Sequence, residues 1–154
     1  MRKRPDINEI GAPLATFLLM VHVGRHMNHR LNSEGGFGEL TPSQFYTLMA
    51  LEHNEALPIS EISDKIRRSP GNMTLVIDNL EKEGLVERQR SKQDRRVVVA
   101  ALTPAGREKI LAARQAHRAS VEALMNGIDP QELSTLYAIL ERLGDNVGIF
   151  SDED

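Results

Sequence analysis

The segment ISEISDKIRRSPGNMTLVIDNLEKEGLVER, residues 59–88, decides how the rest of this chain is read. Its first part places Ile59, Ile62 and Ile66 at i, i+3 and i+7, the spacing of one buried helical stripe. Arg67-Arg68-Ser69 breaks the pattern, and Pro70 then follows Ser69. That order supplies a cap and a first helical residue that needs no N–H donor. Met73, Val76, Ile77 and Leu80 repeat the buried spacing until Gly84 stops the second helix. Two short helices joined by a tight break predict a helix-turn-helix. At about 100° per residue, the second helix turns Gly71, Leu75, Asp78 and Lys82 away from its apolar stripe. Asn72, Thr74 and Asn79 lie on the flanks of that outward face.

Outward from this segment, Leu85-Val86-Glu87-Arg88 and Val97 to Leu102 are β-prone runs on either side of the polar, basic stretch Gln89 to Arg95. They predict a hairpin with a long tip. Upstream, Thr41-Pro42 opens a helix to about His53 with Phe45, Leu48 and Met49 inward, and Asn54 to Pro58 is a short connection. Thr103-Pro104 opens a long helix to about Met125, and Asp129-Pro130 opens another along Leu133, Leu136, Leu140, Leu143 and Val147. A first helix spans about 12–31, with Ser33 to Gly38 as a loop after it and an acidic tail at 151–154. That helix is apolar around most of its circumference, so one neighbouring face would not cover it, and burial on several sides is expected. The fold class expected is mainly α with a small β-hairpin, in one domain over 1–154.

Composition narrows the chemistry. The chain has 154 residues, 40% apolar and 27% charged, enough apolar surface for a real core. No cysteine is present, which removes disulfides, thiolate metal sites and cysteine nucleophiles, and fits a cytoplasmic location. Aromatic residues are 4% with no Trp, which argues against an aromatic stacking platform for single strands. Leu14 to Val21, with Thr16 inside it, is the longest apolar run, far short of the roughly 20 residues of a spanning helix, so no membrane partner is expected. Polar residues on both sides of that run argue against a signal peptide. No phosphate-binding glycine loop, nucleophile elbow or His-Glu-x-x-His pair occurs, so no enzyme, catalytic residue or cofactor is expected.

The net charge of −3 is unevenly spread. Residues 65–96 hold nine basic and five acidic groups, a local +4, and the remainder is −7. A basic segment inside an acidic chain is the footprint of a polyanion contact. Asn72 and Thr74 near a helix start suit base edges, Gly71 permits close approach, and Leu75 suits a thymine methyl. Arg67 and Arg68 before the helix, and the basic hairpin after it, favour DNA over a merely solvated face. Asp78 would be repelled by phosphates, so it is expected to pair with an arginine such as one from the hairpin.

From Leu40 to Ile110 the chain resembles the MarR family of winged helix-turn-helix regulators, named for multiple antibiotic resistance. Three motifs carry the resemblance: Leu40-Thr41-Pro42-Ser43-Gln44-Phe45, the run Asp78 to Arg88, and Asp94-Arg95-Arg96 leading into Leu102-Thr103-Pro104-Ala105-Gly106. The resemblance implies a winged helix-turn-helix module at about 40–102, flanked by dimerisation helices at about 12–31 and 103–150. It implies a homodimeric regulator, expected as a repressor on a near-palindromic double-stranded DNA operator, released by a small effector. A protein-interaction module of the same fold is the alternative in which DNA plays no part. The base-reading positions carried over are Asn72, Met73, Thr74 and Leu75, and the wing-tip acid and arginine are Asp94 and Arg96. Ser69, Lys92 and Arg95 complete the expected DNA contacts with Arg67, Arg68 and Gly71. Two positions depart from the family: Leu75, where many members have arginine, and Pro58, where a capping threonine is common.

A second chemistry lies in His22, Arg25, His26 and His29, a cationic stripe at i, i+3, i+4 and i+7. His22 and His26 have zinc-ligand spacing but need further ligands, for which Glu52 and His53 are the candidates. Three readings are open: a solvent face, a pocket for an anionic small molecule, or a metal-responsive site. The family's effector pocket, between dimerisation helices and DNA module, would take His22, Arg25, His26, Met49 and His53. No resident metal is assigned.

Overall fold

The computed structural model describes residues 5–54, 56–66, 69–91, 94 and 96–149. Its elements run α1 (Ile7–Ile10), α2 (Ala12–Ser33), α3 (Pro42–Glu52), β1 (Leu57–Pro58), α4 (Ile59–Lys65), α5 (Pro70–Lys82), β2 (Val86–Arg90), β3 (Val98–Leu102), α6 (Pro104–Met125) and α7 (Pro130–Asn146). The mainly helical architecture and the β-hairpin wing therefore form as read from sequence. Thr41 caps α3 with a full capping box: its hydroxyl accepts from the Gln44 N–H, and the Gln44 side chain accepts from the Thr41 N–H. Asp129 and Glu132 repeat the device at α7. Ser69 has cap backbone geometry without a capping side-chain bond, so Pro70 alone marks the start of α5.

Two features differ from expectation. The connection Asn54 to Pro58 contains β1, which joins an antiparallel sheet of order β1-β3-β2, with Leu57 opposite Ala100 and Pro58 opposite Val99. Two residues are too short for any alternation to show. The short helix α1 also precedes α2, started by the Asp6 side chain accepting from the Asn8 N–H.

The chain divides into two compact units, Met1–Val121 and Glu122–Asp154. In the first, the core is formed by Phe45, Leu48 and Leu51 of α3, Ile62 of α4, Met73, Ile77 and Leu80 of α5, and Ile110 of α6, all 1% exposed or less. The sheet adds Leu57, Val86, Ala100 and Leu102. On β2, Arg88 faces the same side as these residues, which turns it toward α5. Gly106 lets the start of α6 lie against the chain after α5, where a Cβ would collide with the Leu85 carbonyl oxygen. Thr103 fixes that junction by donating its hydroxyl to the Gly84 carbonyl at 2.7 Å. Only Ala15 and Leu31 of α2 are buried, while Leu14, Phe17, Leu19 and Val23 stay exposed. In the second unit, α7 leaves Leu136, Tyr137, Ile139 and Leu140 exposed. Among the described residues no helix is long and apolar enough to cross a membrane.

Candidate nucleic-acid interface

Helix α5 presents Gly71, Asn72, Thr74, Leu75, Asn79 and Lys82 on its exposed side. Ser69, at its cap, is also exposed. Met73 is a correction. It is fully buried, and the Thr47 hydroxyl lies 3.7 Å from its sulfur, so it packs the module core and offers nothing to a groove. Its place in the helical stripe decides this, because the i, i+4 pairing with Ile77 turns it inward.

The orientation of α5 is set by Arg88 of β2. One guanidinium nitrogen donates to Asp78 at 2.5 Å and another to Glu81, while the Arg88 backbone N–H donates to Glu81 at 3.1 Å. Burial alone would lower the Arg88 pKa, but its bonds to Asp78 and Glu81 outweigh that and raise it. The guanidinium is therefore charged at every working pH, and its charge-assisted bonds tie α5 to β2. This is the arginine partner that the outward position of Asp78 demanded.

At the wing tip, Asp94 accepts from the Arg96 backbone N–H at 2.9 Å, from Nε at 3.3 Å and from a terminal guanidinium nitrogen at 3.2 Å. These side-chain and backbone bonds lower the Asp94 carboxyl pKa. The Arg96 side chain is still 91% exposed, so it is aimed without being covered. Arg67, Arg68, Lys92 and Arg95 lie outside the described residues.

The five effector candidates lie on α2 (His22, Arg25, His26), on α3 (Met49) and just after α3 (His53). His22 is half-buried on α2, and Arg25 and His26 are exposed there. His53 is exposed, and its Nδ1 donates to the Met49 carbonyl at 3.2 Å. Met49 instead lines a groove of about 360 Å³ with Phe45, Leu111, Arg114, Gln115, His117 and Arg118. Glu52, the candidate carboxylate for the histidine stripe, is bonded to Arg114 at 2.8 Å. Among the described residues, no three His, Cys, Asp or Glu side chains are placed to share a metal ion.

Sequence reading missed His117, which lines this groove, and Phe37, which stacks on it. Phe37 is buried inside the glycine-rich loop and stacks on the His117 ring, with centroids 4.9 Å apart. His117 Nδ1 donates to the Gly36 carbonyl at 2.8 Å, which fixes its tautomer, since a carbonyl only accepts. A lone phenylalanine among glycines was the available signal. Its partner sits 80 residues away, beyond any local pattern.

The MarR family model matches residues 40–98. The chain is 30% identical over 131 residues to MhqR, an HTH-type transcriptional regulator of Bacillus subtilis (strain 168), covering 85% of this chain and 88% of that protein. It is 36% identical over 80 residues to MdtR, an HTH-type transcriptional repressor of the same organism, covering 50% and 52%. A MarR-family transcriptional regulator from Silicibacter pomeroyi superposes with a TM-score of 0.69 at 27% identity, covering 99% of this chain and all of that one. These relatives are regulators and not enzymes. With these matches over most of its length, the chain belongs to the MarR family of DNA-binding transcriptional regulators.

Proposed function

We propose that the protein is a homodimeric repressor that binds a near-palindromic operator and is released by a small aromatic or anionic effector. The observation that carries the DNA half is the Arg88 clamp between the recognition helix and a wing whose Arg96 is held by Asp94. The contacts assigned are Asn72, Thr74 and Leu75 in the major groove and Arg96 in the minor groove. Ser69, Gly71, Arg67, Arg68, Lys92 and Arg95 serve close approach and phosphate. Repression is supported by the likeness to MdtR, which is named a repressor. A cytoplasmic location goes with that proposed role.

The effector half is supported by the groove beside Met49. Its wall combines apolar Phe45 and Leu111 with cationic Arg114 and Arg118, which suits an aromatic carboxylate. It lies where α3 of the DNA module meets α6, so a ligand there changes how α6 holds the module. Release of DNA requires different affinities for two conformations, not merely tight binding. The exposed Arg25 and His26, with the half-buried His22 beside them, then form a solvent face.

An electrophoretic shift on the DNA upstream of its own gene tests the first half. A concentration-dependent shift resisting nonspecific competitor is expected, and no shift at low salt overturns it. For the second half, aromatic carboxylates are added to the complex. Arg114→Ala should dull their effect while leaving operator affinity nearly intact, whereas Arg25→Ala should leave both unchanged. The reverse pattern moves the site to the histidine stripe.

A further inference from the structure

Leu75 is 60% exposed in the middle of a recognition face that is otherwise polar or bare. Gly71, one turn earlier, has open space where a Cβ would stand, so Leu75 is the largest apolar projection at that end of the face. Its exposed neighbours Asn72, Thr74, Asn79 and Lys82 make the surroundings too polar for a protein docking patch. An isobutyl group neither donates nor accepts a hydrogen bond. Of all the features a base pair displays in the major groove, only the C5 methyl of thymine matches it. Its position does not wander with the helix, because Arg88 ties Asp78 and Glu81, respectively three and six residues further on, to the wing.

We infer that Leu75 is a specificity-determining residue that reads the C5 methyl of a pyrimidine, so each half-site carries a thymine beneath the middle of α5. The assignment rests on the DNA-binding reading above and sharpens it. Asn72 and Thr74 supply hydrogen bonds to neighbouring edges, while Leu75 contributes a contact that exists only when the methyl is present.

The test uses the full chain and duplexes selected by it from a random pool. Each thymine is replaced singly by uracil, which deletes the methyl and leaves every hydrogen-bonding group in place. One position per half-site should lose about fourfold in affinity, the value of one buried methyl-sized group. At that position, 5-methylcytosine opposite guanine should bind tighter than cytosine by a similar factor. Leu75→Ala, a surface change that leaves the core intact, should still bind the duplex but bring both ratios close to one. Uracil insensitivity at every position in the wild type overturns the assignment, as does undiminished sensitivity in Leu75→Ala. Failure to select any duplex overturns the DNA-binding reading itself, which separates the two outcomes.

Discussion

Asp94 and Arg96 pose the sharpest question at the scale of single residues, because charge and geometry predict opposite outcomes. If net charge governed the wing, Asp94→Ala would strengthen DNA binding by removing a negative group. The three bonds from Arg96 to Asp94 argue otherwise, since a released guanidinium on a 91% exposed side chain must be ordered afresh in the groove. Asp94→Ala is therefore expected to weaken operator binding, and tighter binding in titrations would reject the orienting role. Arg96→Ala should lose about 1–3 kcal/mol together with some A·T preference, because narrow A·T tracts carry the enhanced negative potential. Arg96 lowers the Asp94 carboxyl pKa, so the ionised pair persists down through the ordinary aspartate range and is lost only as pH falls through the lowered value beneath it. Binding measured between about pH 6 and 8 should show no titration from this source. The acid–x–arginine spacing was legible in the sequence because both partners lie within one turn of chain. Met73 was legible only by its helical phase, and assigning it to base reading went against that phase.

Among the elements, β2 and α6 do the positioning. Arg88 holds two carboxylates that are each about 40% exposed, so its contribution is discounted for solvent. Arg88→Met should cost roughly 1–2 kcal/mol, read as a lower denaturation midpoint. It should also weaken binding to all duplexes alike, because the helix loses its fixed angle to the wing and not a base contact. Loss confined to particular base pairs would mean that Arg88 itself reads DNA. Gly106 marks the other junction. Gly106→Ala sets a methyl against the Leu85 carbonyl, and overpacking of this kind costs about 1–3 kcal/mol. A variant as stable as wild type would show that α6 can slide away from the chain end of α5. The helices were readable because cap-then-proline occurs at Thr41, Ser69, Thr103 and Asp129, each followed by an apolar stripe. Strand β1 was not, since its two residues are defined only by pairing with Val99 and Ala100.

For the whole molecule, the decisive fact is apolar surface that the chain leaves uncovered. On α2, Leu14, Phe17, Leu19 and Val23 are 47–56% exposed, and on α7, Leu136, Tyr137, Ile139 and Leu140 are 42–67% exposed. Contiguous patches of large apolar side chains are rare on monomers, and covering one is worth about 25 cal/mol per Å². The apolar circumference of the first helix had foreshadowed this, whereas the groove beside Met49 had not, because Phe37 and His117 meet only in the folded chain. A second copy is the partner of choice. Two-fold symmetry would give one pair of recognition helices for two half-sites, with centres about 34 Å apart on one face of the duplex. Sedimentation at micromolar concentration should then give a dimer with no folded monomer. Replacing Phe17 and Leu140 together with aspartate should yield aggregated or unfolded chains, because the faces lose their cover while the DNA module keeps its sequence. A monodisperse, folded monomer from the wild-type chain would overturn the dimer and, with it, the palindromic operator.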